Sequence, residues 1–317
     1  MDLVGHRIVH GGPHLRETTL ITAETKRLIE NAAPFAPLHN RIELEGINLC
    51  EQLFPQAQQI AVFDTSFHRT MPQVATLYPG PYEWAEKGIF RYGFHGINHQ
   101  YIARHAALIL HRDLNSLKIV TCHLGNGCSL AAISNGASVD TTMGFTPLDG
   151  LMMGTRSGAI DPGIVIYLAR QYHLSPQQID TILNHESGLL GISGHSSDMR
   201  EIVGRVKEGD TRSQLAFDMF VHVLCKGIAS MAAAINGIDV LVFTAGIGEN
   251  SPDVREAACK RLSFLGIKID PKKNISAEHE NELSTPDSSA RILKLRAQED
   301  WAIAQECFHL LPSEKIQ

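Results

Sequence analysis

The sequence predicts an α/β fold, and three observations carry that expectation. Short apolar runs alternate with capped helical patterns, two Asn-Gly dipeptides punctuate a β-meander over residues 117–143, and an apolar run at residues 238–243, interrupted only by Asp239, follows a long helical stretch. A run of that last kind marks a strand buried on both faces, as in sheets covered by helices. At 317 residues the chain has room for two domains.

Taken in order, residues 1–10 form a polar-interrupted, strand-like run without the basic, apolar and small-residue zones of a secretory signal. Thr22 is placed to cap a helix that turns Leu28, Ile29 and Ala32 inward and stops before Pro34. Asn40-x-x-Glu43 reads as a capping box for the next helix, through Phe54. The apolar strand 60–63 then delivers Asp64 to a carboxyl end, where open α/β sheets gather ligands. In the meander, Asn126-Gly127 and Asn135-Gly136 predict type I′ turns, which require positive φ at both central residues. Asp161-Pro162 and Ser175-Pro176-x-Gln178 each set a cap before a first-turn proline. A long helix from about Thr211 to Asn236 ends at Gly237, Ser251-Pro252 opens another, and the polar residues 272–289 read as a surface loop.

Charge balance, with 28 Lys and Arg against 34 Asp and Glu, argues against a binder of nucleic-acid backbones. Glycine at 26 and proline at 14 are too few for a collagen-like or disordered chain. The longest apolar stretches, such as residues 229–235 with a single serine, fall short of the ~20 residues of a bilayer span. Neither nucleic acid nor membrane is therefore expected as a partner, and a cytoplasmic location is. Cys50, Cys122, Cys128, Cys225, Cys259 and Cys307 show no C-x-x-C spacing and read as buried free thiols.

The residues that carry chemistry sit among glycines. His123, Leu124, Gly125, Asn126 and Gly127 form a tight turn whose backbone N–H groups could approach an anion; a plain hairpin is the alternative. Residues 244–250, with Gly246, Ile247, Gly248, Glu249 and Asn250, lie between the buried strand and a helix start. That arrangement makes either an anion or nucleotide site or a tight connection. Arg7 and Arg156, each in a glycine-flanked loop, suit bidentate recognition of carboxylate or phosphate. His95 has the same setting; His95 and His99 have i, i+4 spacing, but Gly96 argues against a helix there, and a metal pair is disfavoured. Glu299 follows the strand-like run 292–295, as a site carboxylate or a surface ion pair. No G-x-S-x-G elbow occurs, so a serine hydrolase on an α/β sheet lacks its nucleophile.

Seven segments in order, GHRIVHGG (5–12), FDTSFH (63–68), RYGFHG (91–96), HLGNG (123–127), DTTMGFTPLDGLMMGTRSG (140–158), SGLLGISG (187–194) and FTAGIGEN (243–250), resemble the acetate kinase family over essentially the whole chain. The resemblance implies the two-domain, actin-like ATPase (ribonuclease H-like) fold of the sugar kinase, Hsp70 and actin superfamily, here with its first domain incomplete. It implies reversible in-line phosphoryl transfer between ATP and acetate, giving acetyl phosphate and ADP, with Mg²⁺ or alternatively Mn²⁺, in a cytosolic homodimer. By the same resemblance Arg7 and Arg156 hold carboxylate and phosphoryl group, Asp64 and His95 serve the transfer, and Val9, Leu38, Phe94 and Pro147 form the acyl pocket. His123 to Gly127 grip ATP phosphates; Asp198, Met199, Arg200 and residues 246–250 line the nucleoside pocket; Glu299 holds the metal through water.

The chain departs from the family pattern at Ile97-Asn98, where Thr-Ser is usual, at Ala159, where Asp is usual, and at Ala297-Gln298, where Thr-Asn or Thr-Asp is common. These departures bear on placement around Arg156 and Glu299. The family's opening N-x-G-S-S-S-x-K segment does not occur in this sequence. Residues 1–65 and 300–317 are accordingly expected to be the remainder of the amino-terminal domain, and 66–299 the nucleotide-binding and dimerisation domain. Two alternatives stand beside the acetate kinase expectation: an impaired, nucleotide-binding fragment, and a propionate or butyrate kinase differing in acyl-pocket volume.

Overall fold

The computed structural model describes residues 2–36, 39–276 and 280–310. Its first part contains β1 (Leu3–Ile8), β2 (Thr19–Leu20), α1 (Ala23–Asn31), α2 (Asn40–Leu53) and β3 (Gln58–Phe63). Two single-turn helices, α3 (Gln73–Thr76) and α4 (Glu83–Glu86), precede α5 (Gly96–Ile109) and the meander β4 (Lys118–Leu124), β5 (Cys128–Ser134) and β6 (Ala137–Thr141). A helical series follows: α6 (Pro162–Gln171), α7 (Pro176–His185), α8 (Gly188–Ser193), α9 (Met199–Lys207) and α10 (Thr211–Ala234). The last part runs β7 (Val240–Thr244), α11 (Ala245–Asn250), α12 (Pro252–Arg261), α13 (Pro271–Asn274), β8 (Asn281–Glu282), β9 (Arg291–Lys294) and α14 (Glu299–His309).

The strands make two sheets, one ordered β1-β3-β2 and one ordered β6-β5-β4-β7-β9-β8. Helices and sheets stack in layers because each strand alternates its side chains between two covered faces. In β7, Val240 and Val242 pack with Ile102, Ile119 and Ala302 between the sheets, whereas Leu241 and Phe243 pack with Phe220, Leu224 and Ile228 of α10 on the far side. The middle layer is therefore α5 with α14. Ile29 and Ile47 of α1 and α2 cover the outer face of the small sheet against Ile8, Ala61 and Phe63.

Local signals read correctly where the cap or turn is self-contained. Thr22 accepts from Thr25 N at 3.1 Å, Asp161 from Gly163 N at 2.8 Å, and Ser175 with Gln178 closes a full capping box. Asn135 and Gly136 both have positive φ, 53° and 71°, as a type I′ turn demands. The described cysteines are all free thiols.

Elsewhere tertiary contacts override the local pattern. Asn40 and Glu43 form no capping box: Asn40 Nδ2 donates to the carbonyls of His10 and Ile29, and Glu43 accepts from Val9 N at 3.1 Å. Both residues tie the end of β1 to the helices. Asn126 and Gly127 do not adopt the positive φ of a type I′ turn; Gly125 N donates to Gly127 O at 3.0 Å, and β4 runs on to Leu124, so His123 lies within a strand. Gly96 begins a helix instead of preventing one, with His95 at its N-cap in the left-handed region, φ 56°. The expected loop 272–289 contains the end of α13 and the edge strand β8, paired with β9; residues 277–279 lie outside the described residues. Finally, α10 is by length and composition apolar enough to cross a membrane, which its contiguous runs did not suggest. Here Ala216, Phe220, Leu224 and Ile228 are buried against the large sheet, making it a core helix.

Candidate active site

The site forms where the carboxyl ends of β1, β3 and β4 approach the start of α5. Parallel pairing of β1 with β3 sets Arg7 opposite Val62 and brings Asp64, just past β3, within reach. Arg7 donates twice to Asp64, Nε to Oδ1 at 3.3 Å and Nη2 to Oδ2 at 2.5 Å, and its Nε lies 3.6 Å from Glu299 Oε2. Asp64 is 1% exposed; burial pushes its pKa up against the opposing pull of Arg7. Arg7 in turn is raised, chiefly by Asp64. Burial also raises Glu299, with Asp64 adding to the effect, so the two carboxylates share one guanidinium and compete for charge.

Asp64 is fixed to the helix above it. Gly96 N donates to Asp64 O at 2.8 Å, and a Cβ at Gly96 would stand 2.3 Å from that oxygen, so only glycine allows the approach. The same junction aims His95. Its ring stacks on His123, centroids 4.0 Å apart, and its Nδ1 is 2.8 Å from Ser129 Oγ. Burial first and His123 second push His95 well below the usual imidazole range, and burial takes His123 to about 3. Both rings are neutral at pH 7. Asn98 Nδ2 lies 2.8 Å from His123 Nδ1.

The opposite wall is the loop carrying Arg156. Arg156 Nη1 donates to Pro147 O at 3.2 Å, and burial lowers its pKa. Among the described residues no carboxylate comes within ion-pair distance of it, which leaves a half-buried cation open to an anionic ligand. A Cβ at Gly127 would sit 3.5 Å from His95 Nε2 and 3.6 Å from Arg156 Nη1, so the glycine turn, imidazole and guanidinium converge. Val9 and Phe94 are buried in one cluster with Ala36 beside this convergence; Pro147 is half-buried, and Leu38 lies outside the described residues. His39, which no sequence pattern singled out, feels both Arg156 and Arg7, whose charges add to burial in lowering its pKa.

A cavity of about 430 Å³ adjoins the turn, lined by Gly125, Asn126, Asp198, Met199, Arg200, Gly246, Ile247 and Asn250, together with Ser197 and Ser251. Most of the residues expected for the nucleoside thus share one pocket; Ser251 carried only the signal of a helix cap, and Ser197 carried none. Leu124 and Gly248 are buried beneath it. Glu249 faces inward, its Oε1 accepting from both Ala245 N and Ala297 N at 2.9 Å. Residues 244–250 and the strand-to-helix link before Glu299 are thereby joined. A larger groove of about 850 Å³ lies elsewhere, along β1 between Leu3, Gly5 and Gln58 and α14 residues Ile303, Cys307 and Phe308.

For a divalent cation the donors present are the carboxylates Asp64 and Glu299. Hard oxygens suit Mg²⁺, which usually takes one or two carboxylates plus substrate phosphates and retains water. Glu299 is 27% exposed and only loosely engaged by Arg7, so it fits a water-mediated contact. No group of three or more candidate ligands forms a ready-made cage among the described residues.

The Acetokinase family matches residues 1–305. The acetate kinase of Trichormus variabilis is 57% identical over 311 residues, 98% of this chain and 77% of the relative. That of Gloeobacter violaceus is 54% identical over 312 residues, with the same coverage of 98% and 77%. The crystal structure of Porphyromonas gingivalis acetate kinase superposes with a TM-score of 0.94 at 42% identity, covering 98% of this chain and 79% of that one. A propionate kinase from Francisella tularensis gives 0.91 at 44%, covering 95% and 77%. The fold is thus the α/β, actin-like ATPase fold of these enzymes, and the chain belongs to the acetokinase family.

Proposed function

We propose that this protein transfers a phosphoryl group between ATP and a short carboxylate, acetate first. The observation that carries the reading is the convergence of Arg156, the neutral His95 and the Gly125–Gly127 turn beside Arg7 and Asp64, with a nucleotide-sized pocket opening from the same turn. Phosphoryl transfer needs positioning and neutralisation of spread charge more than covalent chemistry. Arg156, with no carboxylate of its own, binds the equatorial phosphoryl oxygens; Arg7, held by Asp64, orients the acceptor carboxylate. His95 donates a hydrogen bond without carrying charge. Glu299 would hold a divalent ion through water, with Asp64 beside it helping to place the metal-bound phosphate, and the ion would neutralise phosphate charge when bound. Val9, Phe94 and Pro147 would enclose the methyl group.

Added methylenes change binding by only ~1–3 kcal/mol each, so propionate should react detectably and butyrate poorly. The direct test is formation of acetyl phosphate from ATP and acetate with Mg²⁺ or Mn²⁺, repeated with propionate and butyrate. Butyrate turnover equal to that of acetate would overturn the assignment. A cytoplasmic homodimer without nucleic-acid or membrane partners belongs to the same reading. Supporting the dimer, α6 has no buried residue and exposes Ile164, Ile166 and Tyr167.

A second reading concerns rate. β1 is an edge strand, the large groove runs along it, and the family's N-x-G-S-S-S-x-K segment does not occur in the sequence. We infer that these residues by themselves bind nucleotide but transfer phosphate more slowly than the Trichormus variabilis relative assayed beside them, by more than the ~10²–10³-fold that losing one set of oriented donors costs. On this reading residues 1–65 and 300–317 form one lobe and 66–299 the other. Equal rates would refute the impairment while leaving the reaction assignment intact.

A further inference from the structure

His95 ends a hydrogen-bonded chain that starts inside the large sheet. Thr121 Oγ1 is 2.7 Å from His99 Nδ1, His99 Nε2 is 2.7 Å from Ser129 Oγ, and Ser129 Oγ is 2.8 Å from His95 Nδ1. Thr121, His99 and Ser129 are all fully buried. The geometry follows from the fold: Thr121 and Ser129 lie on neighbouring antiparallel strands, and His95 and His99 are one helical turn apart on α5 above them.

Counting protons shows what the chain can do. With both rings neutral, each of the two hydroxyls and two imidazoles brings one proton, which makes four protons for three hydrogen bonds. One proton is spare; Ser129 Oγ could keep it by accepting from both rings, but among the described residues this buried hydroxyl has no third partner to donate to, so the proton lies at one end. At the inner end it would leave Thr121 aimed at Ala131 O, 3.5 Å away and at the limit of hydrogen bonding. At the outer end it sits on His95 Nε2, beside Gly127 and Arg156. The first arrangement rests on a poor contact; the second sends Thr121 into its 2.7 Å bond and frees a donor where an anion belongs.

We propose that Thr121, His99 and Ser129 are positioning residues that hold His95 as its Nε2–H tautomer, presenting a neutral donor to an anionic oxygen. The use of that donor rests on the kinase reading; the proton order does not. Donation runs one way, from Thr121 to His99, from His99 to Ser129, and from Ser129 to His95 Nδ1. Asn98 Nδ2, 2.8 Å from His123 Nδ1, imposes the same tautomer on the stacked ring. The two imidazoles then each offer an Nε2–H from stacked, nearly parallel rings.

The test is a long-range ¹H–¹⁵N correlation spectrum of the ligand-free chain carrying ¹⁵N-histidine, at pH 7.5. His95 and His99 should each show a protonated Nε2 and a bare Nδ1. Ser129→Ala should move His95 to a mixture of tautomers, and Ser129→Thr, which keeps the hydroxyl, should restore the wild-type pattern. His68, bonded to Ser138 and Phe94 O, serves as the internal control of folding. A protonated Nδ1 on His95 in the wild type overturns the proposal without any variant. So does an unchanged His95 pattern in Ser129→Ala with His68 intact. Absence of acetyl phosphate formation would count against the kinase reading and leave the tautomer result standing.

Discussion

The imidazoles of His95 and His123 lie face to face, planes 11° from parallel and centroids 4.0 Å apart. Two charged rings could not share that space next to Arg7 and Arg156, and burial already favours the neutral forms. On the proposed reading the site divides its labour: guanidinium groups carry positive charge, and imidazoles supply directional, uncharged donors.

Burial of histidine sets a pH limit on stability. His68 and His10 are lowered to about 4 in the folded chain, against about 6.5 when unfolded. Depressed folded-state values mean that the unfolded chain takes up protons first as pH falls. Their stabilisation is complete above pH 6.5 and is lost progressively down to about 4, by up to ~3 kcal/mol for each ring. Urea unfolding at half-unit pH steps should show this slope. His68→Gln, which has no proton to gain, should flatten it by ~1.4 kcal/mol per pH unit, and an identical slope would contradict the assignment.

Arg156 should not be replaceable by lysine. An ammonium cannot reproduce the planar fork that binds two oxygens at once. Acetyl phosphate affinity, measured calorimetrically, should fall at least ~10-fold in both Arg156→Lys and Arg156→Ala. A lysine variant with wild-type affinity would refute the bidentate role.

Glu249 should matter for stability through its acceptor oxygen. Its Oε1 satisfies two backbone N–H groups, those of Ala245 and Ala297. Removing the acceptor in Glu249→Ala should cost ~2–4 kcal/mol in chemical denaturation, and Glu249→Gln, which keeps an oxygen, less than ~1 kcal/mol. Equal losses would show that charge, rather than hydrogen bonding, is what counts there.

The exposed face of α6 should be covered by a second copy. Light scattering should give twice the 34.8 kDa of one chain, and Tyr167→Glu should return the monomer mass. An unaltered mass in Tyr167→Glu would place the dimer elsewhere, and a monomeric wild type would remove it.

What the sequence revealed depended on how local each signal was. The caps at Thr22, Asp161 and Ser175 and the Asn135-Gly136 turn need only neighbouring residues, and they formed as read. Asn40 and Glu43 carried the same kind of signal, yet both side chains serve partners more than ten residues away. The Arg7–Asp64 pair spans 57 positions, so no periodicity could expose it; glycine neighbours marked Arg7, its place past a strand's carboxyl end marked Asp64, and the family resemblance put the two together. His39, Ser197 and Ser251 reached the site through tertiary packing alone. Gly96 was misread because its role is the close contact with Asp64 O, which becomes visible only once β3 and α5 meet.

The proposed kinase reaction requires the cavity beside the Gly125–Gly127 turn to bind nucleotide. The decisive measurement is calorimetric titration of Mg²⁺-ATP into the wild-type chain and into Gly246→Leu. A Cβ at Gly246 meets nothing within 4 Å, so a leucine there fits the fold and intrudes on the pocket. One site per chain is predicted, with a Kd between ~1 μM and ~1 mM, weakened about tenfold or more in Gly246→Leu at unchanged Tm. No binding at millimolar ATP, or equal binding by the two proteins, would contradict it.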